Sequence, residues 1–278
     1  MMFPGPDAAG DQIRLLTTCH DYTLDKRHVT FDLLWPERLF HKSYHQDQTE
    51  TPQHQIDYLL RFVPDRNFDF DHVLVDEQTF QEHFKFLNTA HREAVTFGDK
   101  NSFPISLSYN KVLRFKSFFK RHLGKVVVWK DTFIHYDQTQ VGNCHLGKRP
   151  FVYSDWQKIF NFLKKYFEFV EIEYRTPISE VMYHLGTCEF CVGQSGLWNL
   201  NASAASAPQI TFMKTDTYDS RIWNREIKNQ VNKSGFYKNG DFNNFLSVAG
   251  LDVDIDSLLN YNVWKKIIDD AKDVMEDT

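Results

Sequence analysis

The chain has 278 residues, 42% hydrophobic and 25% charged, which is enough for one large domain or two modest ones. A net charge of −5 argues against a mainly electrostatic grip on nucleic acid, although a local basic cleft stays open. No run of about 18 apolar residues is present, so no membrane span is expected. The opening "MMFPGPDAAGDQIRLL" lacks the basic and apolar segments of a signal peptide, and four unevenly placed cysteines suit a reduced, cytoplasmic setting. Aromatics are abundant, with 25 Phe, 12 Tyr and 6 Trp, and should fill the core between layers and line part of any groove.

In chain order, residues 1–11 read as a frayed, Pro/Gly/Ala-rich start, and "IRLLTT" (13–18) as a first strand. "CHDYTLDKRHVTFDLLWPERLF" follows, with Pro36 interrupting any helix. Thr51-Pro52 opens a short helix, and "FDHVLVD" (70–76) is a buried strand. Phe80, Phe84 and Leu87 share the face of a helix. "YNKVLRFKSFFKRHLG" predicts a basic helix stopped at Gly124. "KVVVWKD" is the clearest strand, a β-branched run with charged ends, and residues 132–150 read mostly as loop. Ser154-Asp155 then opens a helix with Trp156, Ile159, Phe160, Leu163 and Phe167 on its apolar face. "EFVEIEY", "EFCVG" and "QITFM" are further strands, separated by the helices "PISEVMYHLGTC" and "SGLWNLNASAASA". A terminal helix, "VWKKIIDDAKDVM", ends the Asn/Asp-rich tail.

This alternation predicts an α/β protein with parallel sheets. Two lobes are expected, 1–120 and 121–278, with the terminal helix packing back on the first lobe; one continuous sheet is the alternative.

The run "CVGQSGLW" (191–198) admits three readings. A hydrolase elbow needs Gly-x-Ser-x-Gly, but Gly196 follows Ser195 directly and no histidine follows His184, so that spacing fails. Cys188 and Cys191 have metal-like spacing one helical turn after His184, yet a second cysteine pair is missing and Cys191 is an apolar strand position. A structural cysteine is the better reading, and a strand through the pair also disfavours a redox motif. The third reading is a ligand loop, in which a buried strand ends, Gly193 and Gly196 permit a tight turn, and a helix start offers N–H groups to an anion. A plain strand-to-helix turn capped by Ser195 is its bland counterpart.

The block from "KRPFVYSDWQKIF" through "ISEVMYHLGTCEFCVGQSGLWNLNASAASAPQITF", about residues 122–215, resembles the donor half of GT-B-fold glycosyltransferases, most closely the bacterial heptosyltransferase group. Val192-Gly193 match that group's strand-end Ile-Gly, Ser195-Gly196 its Ser-Gly pair, and Ala202 and Pro208 its small helix and following proline. Gln194 and Asn199 depart from the usual acidic (or Asn) and His positions. The resemblance implies two Rossmann-like lobes with a cleft between them and a nucleotide-diphosphate sugar as donor, UDP-glucose being one option. It implies a diphosphate site at Gly193, Ser195, Gly196 and Leu197, assisted by Lys148 or Arg149.

If so, helix-start amides and a basic residue stabilise the departing diphosphate. A general base would sit in the other lobe; Asp21, or else His20, is the expected choice because both follow the expected first strand. Strand-end Glu173 could accept bonds from a ribose or sugar hydroxyl. No cofactor or metal is required, since no Asp-x-Asp motif is present and helix dipoles with basic residues can replace a cation. The acceptor stays open between DNA carrying hydroxymethylated or glucosylated bases, a glycan and a small glycoside. The basic stretch Lys111, Arg114, Lys116, Lys120, Arg121, His122 and Lys125, with Phe115, Phe118 and Phe119 interleaved, is the feature pointing to DNA; a solvated helix face is its simpler reading. A noncatalytic nucleotide-sugar-binding protein is the rival class.

Overall fold

The computed structural model describes residues 2–6, 9–40, 50–83, 113–117, 119–134, 153–173, 175–194, 201–202, 204–213, 236–239, 245–249 and 255–276. The protein is α/β and its chain forms two compact units, Met1–Lys116 with Arg175–Ser179, and Ser117–Tyr174 with Glu180–Thr278.

The first unit holds a parallel sheet ordered β1 (Met2–Pro4), β2 (Val29–Pro36), β3 (Phe68–Val75). Helix α1 (Ala9–Thr23) connects β1 to β2, so residues 13–18 are helical and the first strand lies earlier. The strand expectation fails because α1 is buried on almost every side, from Gln12 through Cys19, which hides helical periodicity. Its threonines tolerate this burial because Thr17 and Thr23 donate their hydroxyls to the carbonyls of Ile13 and Cys19, four residues back, at 2.8 Å each.

After β2 come α2 (Glu37–Phe40) and α3 (Pro52–Leu60). Thr51 caps α3 with Pro52 in its first turn, as Thr51-Pro52 predicts. Asp76 ends β3 and caps the next helix, α4 (77–83), accepting from the Thr79 N–H and hydroxyl at 2.8 Å each. Phe84 and Leu87 lie outside the described residues.

One face of the first sheet is aromatic, with the Phe31 ring against those of Phe3, Phe68 and Phe70, and Phe68 against Phe70. Fully buried Trp35 leans on the backbone of Gly5, where an added Cβ would meet its ring at 2.4 Å. Its indole N–H donates to His72 Nδ1 at 2.9 Å, and His72 Nε2 lies 3.2 Å from Asp57 Oδ1. Because indole only donates, Nδ1 must accept, so Nε2 carries the hydrogen and donates to Asp57.

Residues 113–117 and 119–124 are not helical, contrary to the basic helix expected there. Their donors are committed to distant acceptors instead of carbonyls four residues back. In the first unit Leu113 N–H donates to Thr17 Oγ1 and Lys116 N–H to Phe62 O; in the second, His122 N–H donates to Thr187 O and the Arg121 side chain to Cys188 O. Gly124 does end the segment, with φ of +86°.

The second unit holds a six-stranded sheet ordered β5-β4-β6-β7-β9-β8. Its strands are β4 (Lys125–Trp129), β5 (Glu168–Ile172), β6 (Phe190–Gln194), β7 (Gln209–Met213), β8 (Phe236–Asn239) and β9 (Phe245–Ala249). All neighbours are parallel except β8 and β9. A short α5 (Asp131–Ile134) follows β4. Alternation fixes the faces: Val126, Val128, Phe190, Val192, Ile210 and Phe212 join one core with α6 (Tyr153–Leu163), α8 (Ile255–Leu258) and α9 (Tyr261–Glu276). Trp156, Ile159, Phe160 and Leu163 fill it as their spacing predicts, and Phe167 packs at its margin. The terminal helix α9 packs its apolar face, Trp264, Ile267, Ile268 and Ala271, on the second sheet. The opposite parity faces α7 (Ile178–Thr187), where the Lys125 ammonium reaches Thr187 Oγ1 at 2.7 Å.

Candidate functional site

In the second sheet the chain leaves β4 toward β5 on one side, then crosses to β6 on the other side of β4 and continues to β7. Strand order therefore reverses between β4 and β6, and in open parallel sheets ligands bind beyond the carboxyl ends of the strands at such a point. The residues that end β4 and β6 are Trp129 and Gly193-Gln194. Gly193 is buried and opposite Thr211 on β7. Residues 201, 202 and 204 are helical, and buried Ala202, Ala204 and Ala207 allow that segment to approach the sheet. Ser195, Gly196, Leu197, Lys148 and Arg149 lie outside the described residues.

Glu173 follows β5 at the same carboxyl edge. Its Oε1 is 2.8 Å from Lys130 Nζ, and Glu171 Oε2 is 3.1 Å from the same ammonium. Glu171 also receives Lys164 at 3.4 Å. The hydrogen bonds to Glu173 and Glu171 raise the Lys130 pKa, so its charge is secure at any neutral pH. The sequence reading gave Lys130 only as a charged end of the strand that became β4. The available signal was a lysine directly after a β-branched run, with a Glu-x-Glu pattern ending the next strand.

Asp21 and His20 do not follow a strand. They occupy the last turn of α1, which returns the chain to the amino end of β2, away from the strands' carboxyl ends. Their side chains are 33% and 14% exposed, and His20 Nδ1 is 3.7 Å from Asp21 Oδ1. The carboxyl ends of β2 and β3 instead border an open cavity of about 600 Å³ lined by Glu37, Arg38, Leu74, Val75, Asp76 and Glu77. There Arg38 pairs with Glu77 at 2.9 Å.

Cys188 and Cys191 are buried, free thiols. Burial and then the neighbouring Cys188 thiol push Cys191 well above the usual thiol range, and Cys188 Sγ donates to Leu185 O at 3.3 Å. Cys191 therefore stays protonated, and both buried side chains pack as small apolar groups, in line with the structural reading of the pair. Among the described residues, no three His, Cys, Asp or Glu side chains converge as metal ligands. No helix among them is long and apolar enough to cross a membrane.

No family model, curated protein or solved structure matches this chain.

Proposed function

We propose that this chain is a glycosyltransferase of GT-B organisation that moves a sugar from a nucleotide-diphosphate sugar to an acceptor hydroxyl. The observation that supports the reading is the reversal of strand order between β4 and β6, because the carboxyl end of β6 at Gly193-Gln194 then lies at the edge where an α/β sheet takes a phosphorylated ligand. In this reading the amides following Gly193, with Ser195, Gly196 and Leu197, receive the diphosphate, and Lys148 or Arg149 supplies positive charge. Charge develops on the diphosphate as the glycosidic bond breaks, so fixed donors there lower the barrier without solvent reorganisation. The acceptor hydroxyl must be held in line and relieved of its proton. Asp21 and His20 are poor choices for that base, since α1 carries them to the amino end of the first sheet.

The test is mass spectrometry of products after incubation with UDP-, GDP- and ADP-sugars and an acceptor panel that includes DNA containing hydroxymethylcytosine. Ser195→Ala and Lys148→Ala are each expected to lower kcat/KM for donor on the order of tenfold, the effect of one lost hydrogen bond to a charged group. Unchanged rates at subsaturating donor in both variants would refute the diphosphate site. Donor binding without transfer or hydrolysis would favour the noncatalytic class.

A further inference from the structure

Trp35 is fully buried, and its indole has a single hydrogen to give. That hydrogen goes to His72 Nδ1 at 2.9 Å, and among the described residues the indole has no other acceptor. The ring edge laid on Gly5 includes Cε2, the carbon bonded to Nε1, so the bond to His72 also fixes the edge that meets the turn after β1. Gly5 in turn donates its N–H to Leu34 O at 2.8 Å, continuing the β1–β2 ladder. Toward β3, Trp35 is in register with Leu74, which lines the cavity at the carboxyl ends of β2 and β3. One imidazole nitrogen therefore holds the ring between the β1 turn and the cavity edge.

The imidazole sits where its charge can change. The His72 side chain is 18% exposed, and its Nε2 lies 3.2 Å from Asp57 Oδ1, itself 54% exposed. Asp57 is the charged group that faces it from α3, while β2 brings no charge, only Leu33 in register and the indole. Among the described residues no other charged side chain bonds to or pairs with His72. Nε2 already carries a hydrogen, so an added proton goes to Nδ1, where it meets the indole N–H head-on. Two N–H groups cannot share that gap. The imidazolium gains a full charge opposite the Asp57 carboxylate, and the indole loses its acceptor where water does not reach. The state with the indole withdrawn binds one more proton than the state with it held, so falling pH favours withdrawal.

We propose that His72 is a pH-sensitive latch. Neutral, it pins Trp35 over Gly5; protonated, it pairs with Asp57 and releases the indole, loosening the turn after β1 and the cavity edge beside Leu74. Histidine charge changes between about pH 5 and 8, so the latch holds at the alkaline end of that range and lets go at the acid end. It works within the first sheet and does not depend on the nucleotide-sugar reading of the second.

The test is NMR of the isotope-labelled full chain from about pH 8 to 5. It follows the Trp35 indole N–H, the His72 ring nitrogens and hydrogen exchange at the Gly5 amide, corrected for intrinsic exchange; Trp35→Phe assigns the indole signal. In wild type the indole signal should move and Gly5 exchange should rise on the order of tenfold, both at the midpoint where the His72 ring titrates. Asp57→Asn should push that midpoint lower, because the imidazolium loses its carboxylate. His72→Asn, whose Oδ1 can accept the indole hydrogen without titrating, should keep the alkaline indole signal across the range and leave Gly5 exchange flat. Thermal melting at the alkaline end checks that each variant folds; should His72→Asn fail to fold, the coincidence of the three wild-type titrations decides alone. A wild-type indole signal that does not move, a midpoint different from that of the His72 ring, or a transition that survives in folded His72→Asn would overturn the latch.

Discussion

The two sheets are built from the same β-α-β connection, yet they differ where a ligand would notice. In the first sheet spatial order follows chain order, β1-β2-β3, so among the described residues no two neighbouring strands send their connections in opposite directions. In the second, β4 and β6 do so. Parallel strands alone therefore do not make a crevice; a change in the direction of winding does. Side chains follow suit. The carboxyl edge of the first sheet is engaged in an Arg38–Glu77 pair and in the helix cap made by Asp76, whereas the second presents a buried glycine and the Lys130–Glu173 pair.

The sharpest way to break this contrast is through the cores, which should fail separately if the units are separately packed. Trp156 is fully buried, edge-on to Phe212 at 4.9 Å. Trp156→Ala is expected to cost the second unit about 3–5 kcal/mol. Hydrogen exchange should accelerate in β4–β7 and change little in β1–β3; equal acceleration in both sheets would mean one shared core. A somewhat smaller effect of the opposite location is expected from Gly5→Ala, whose Cβ would meet the Trp35 ring at 2.4 Å. Overpacking there should cost about 1–3 kcal/mol and accelerate exchange in β1–β3 alone. Exchange unchanged in that variant would show that Trp35 has room to move.

The smallest expected effect is one of pH. Burial, followed by the Lys125 ammonium, holds His184 below the usual histidine value. The unfolded chain then binds that proton more readily than the folded one, so stability falls as pH drops through about 6.5. His184→Gln should flatten the acid side of a melting-temperature profile between pH 7.5 and 5 by a degree or so, on the order of a few tenths of a kcal/mol. An identical slope in wild type and variant would remove His184 from the account.

Legibility in the sequence tracked local burial. The strand Lys125–Trp129 reads directly because it is buried along its whole length and β-branched, and α6 because only one face is covered. Thr51 acts as the helix start that its residue type suggests, and Gly124 supplies a left-handed turn although the segment it ends is not a helix. Helix α1 was opaque because burial on nearly all sides erases the 3.6-residue pattern, and β1 is three residues long, too short to alternate. The segment 113–124 misleads for another reason, since its helix-like spacing of Lys, Arg and Phe is overridden by long-range acceptors for its N–H groups. Of the candidate site, the buried strand that reaches Gly193 could be read from its apolar run, whereas Lys130 left only a weak signal, because its meaning depends on Glu173, 43 positions later.

By itself the sequence determined the main alternation of strands and helices from Lys125 to Met213, since apolar period and turn residues are local properties of a chain, whereas β8 and β9 in the tail were not read. Tertiary structure alone decided which strands are neighbours. Hydrogen bonding between β4 and β6, across 60-odd residues, creates the reversal that gives the Gly193 edge its meaning, and helix direction carries Asp21 and His20 to the other end of their sheet. Backbone pairing between distant segments is satisfied by many partners equally well, so it leaves little trace in composition, and the packing of whole layers selects among them.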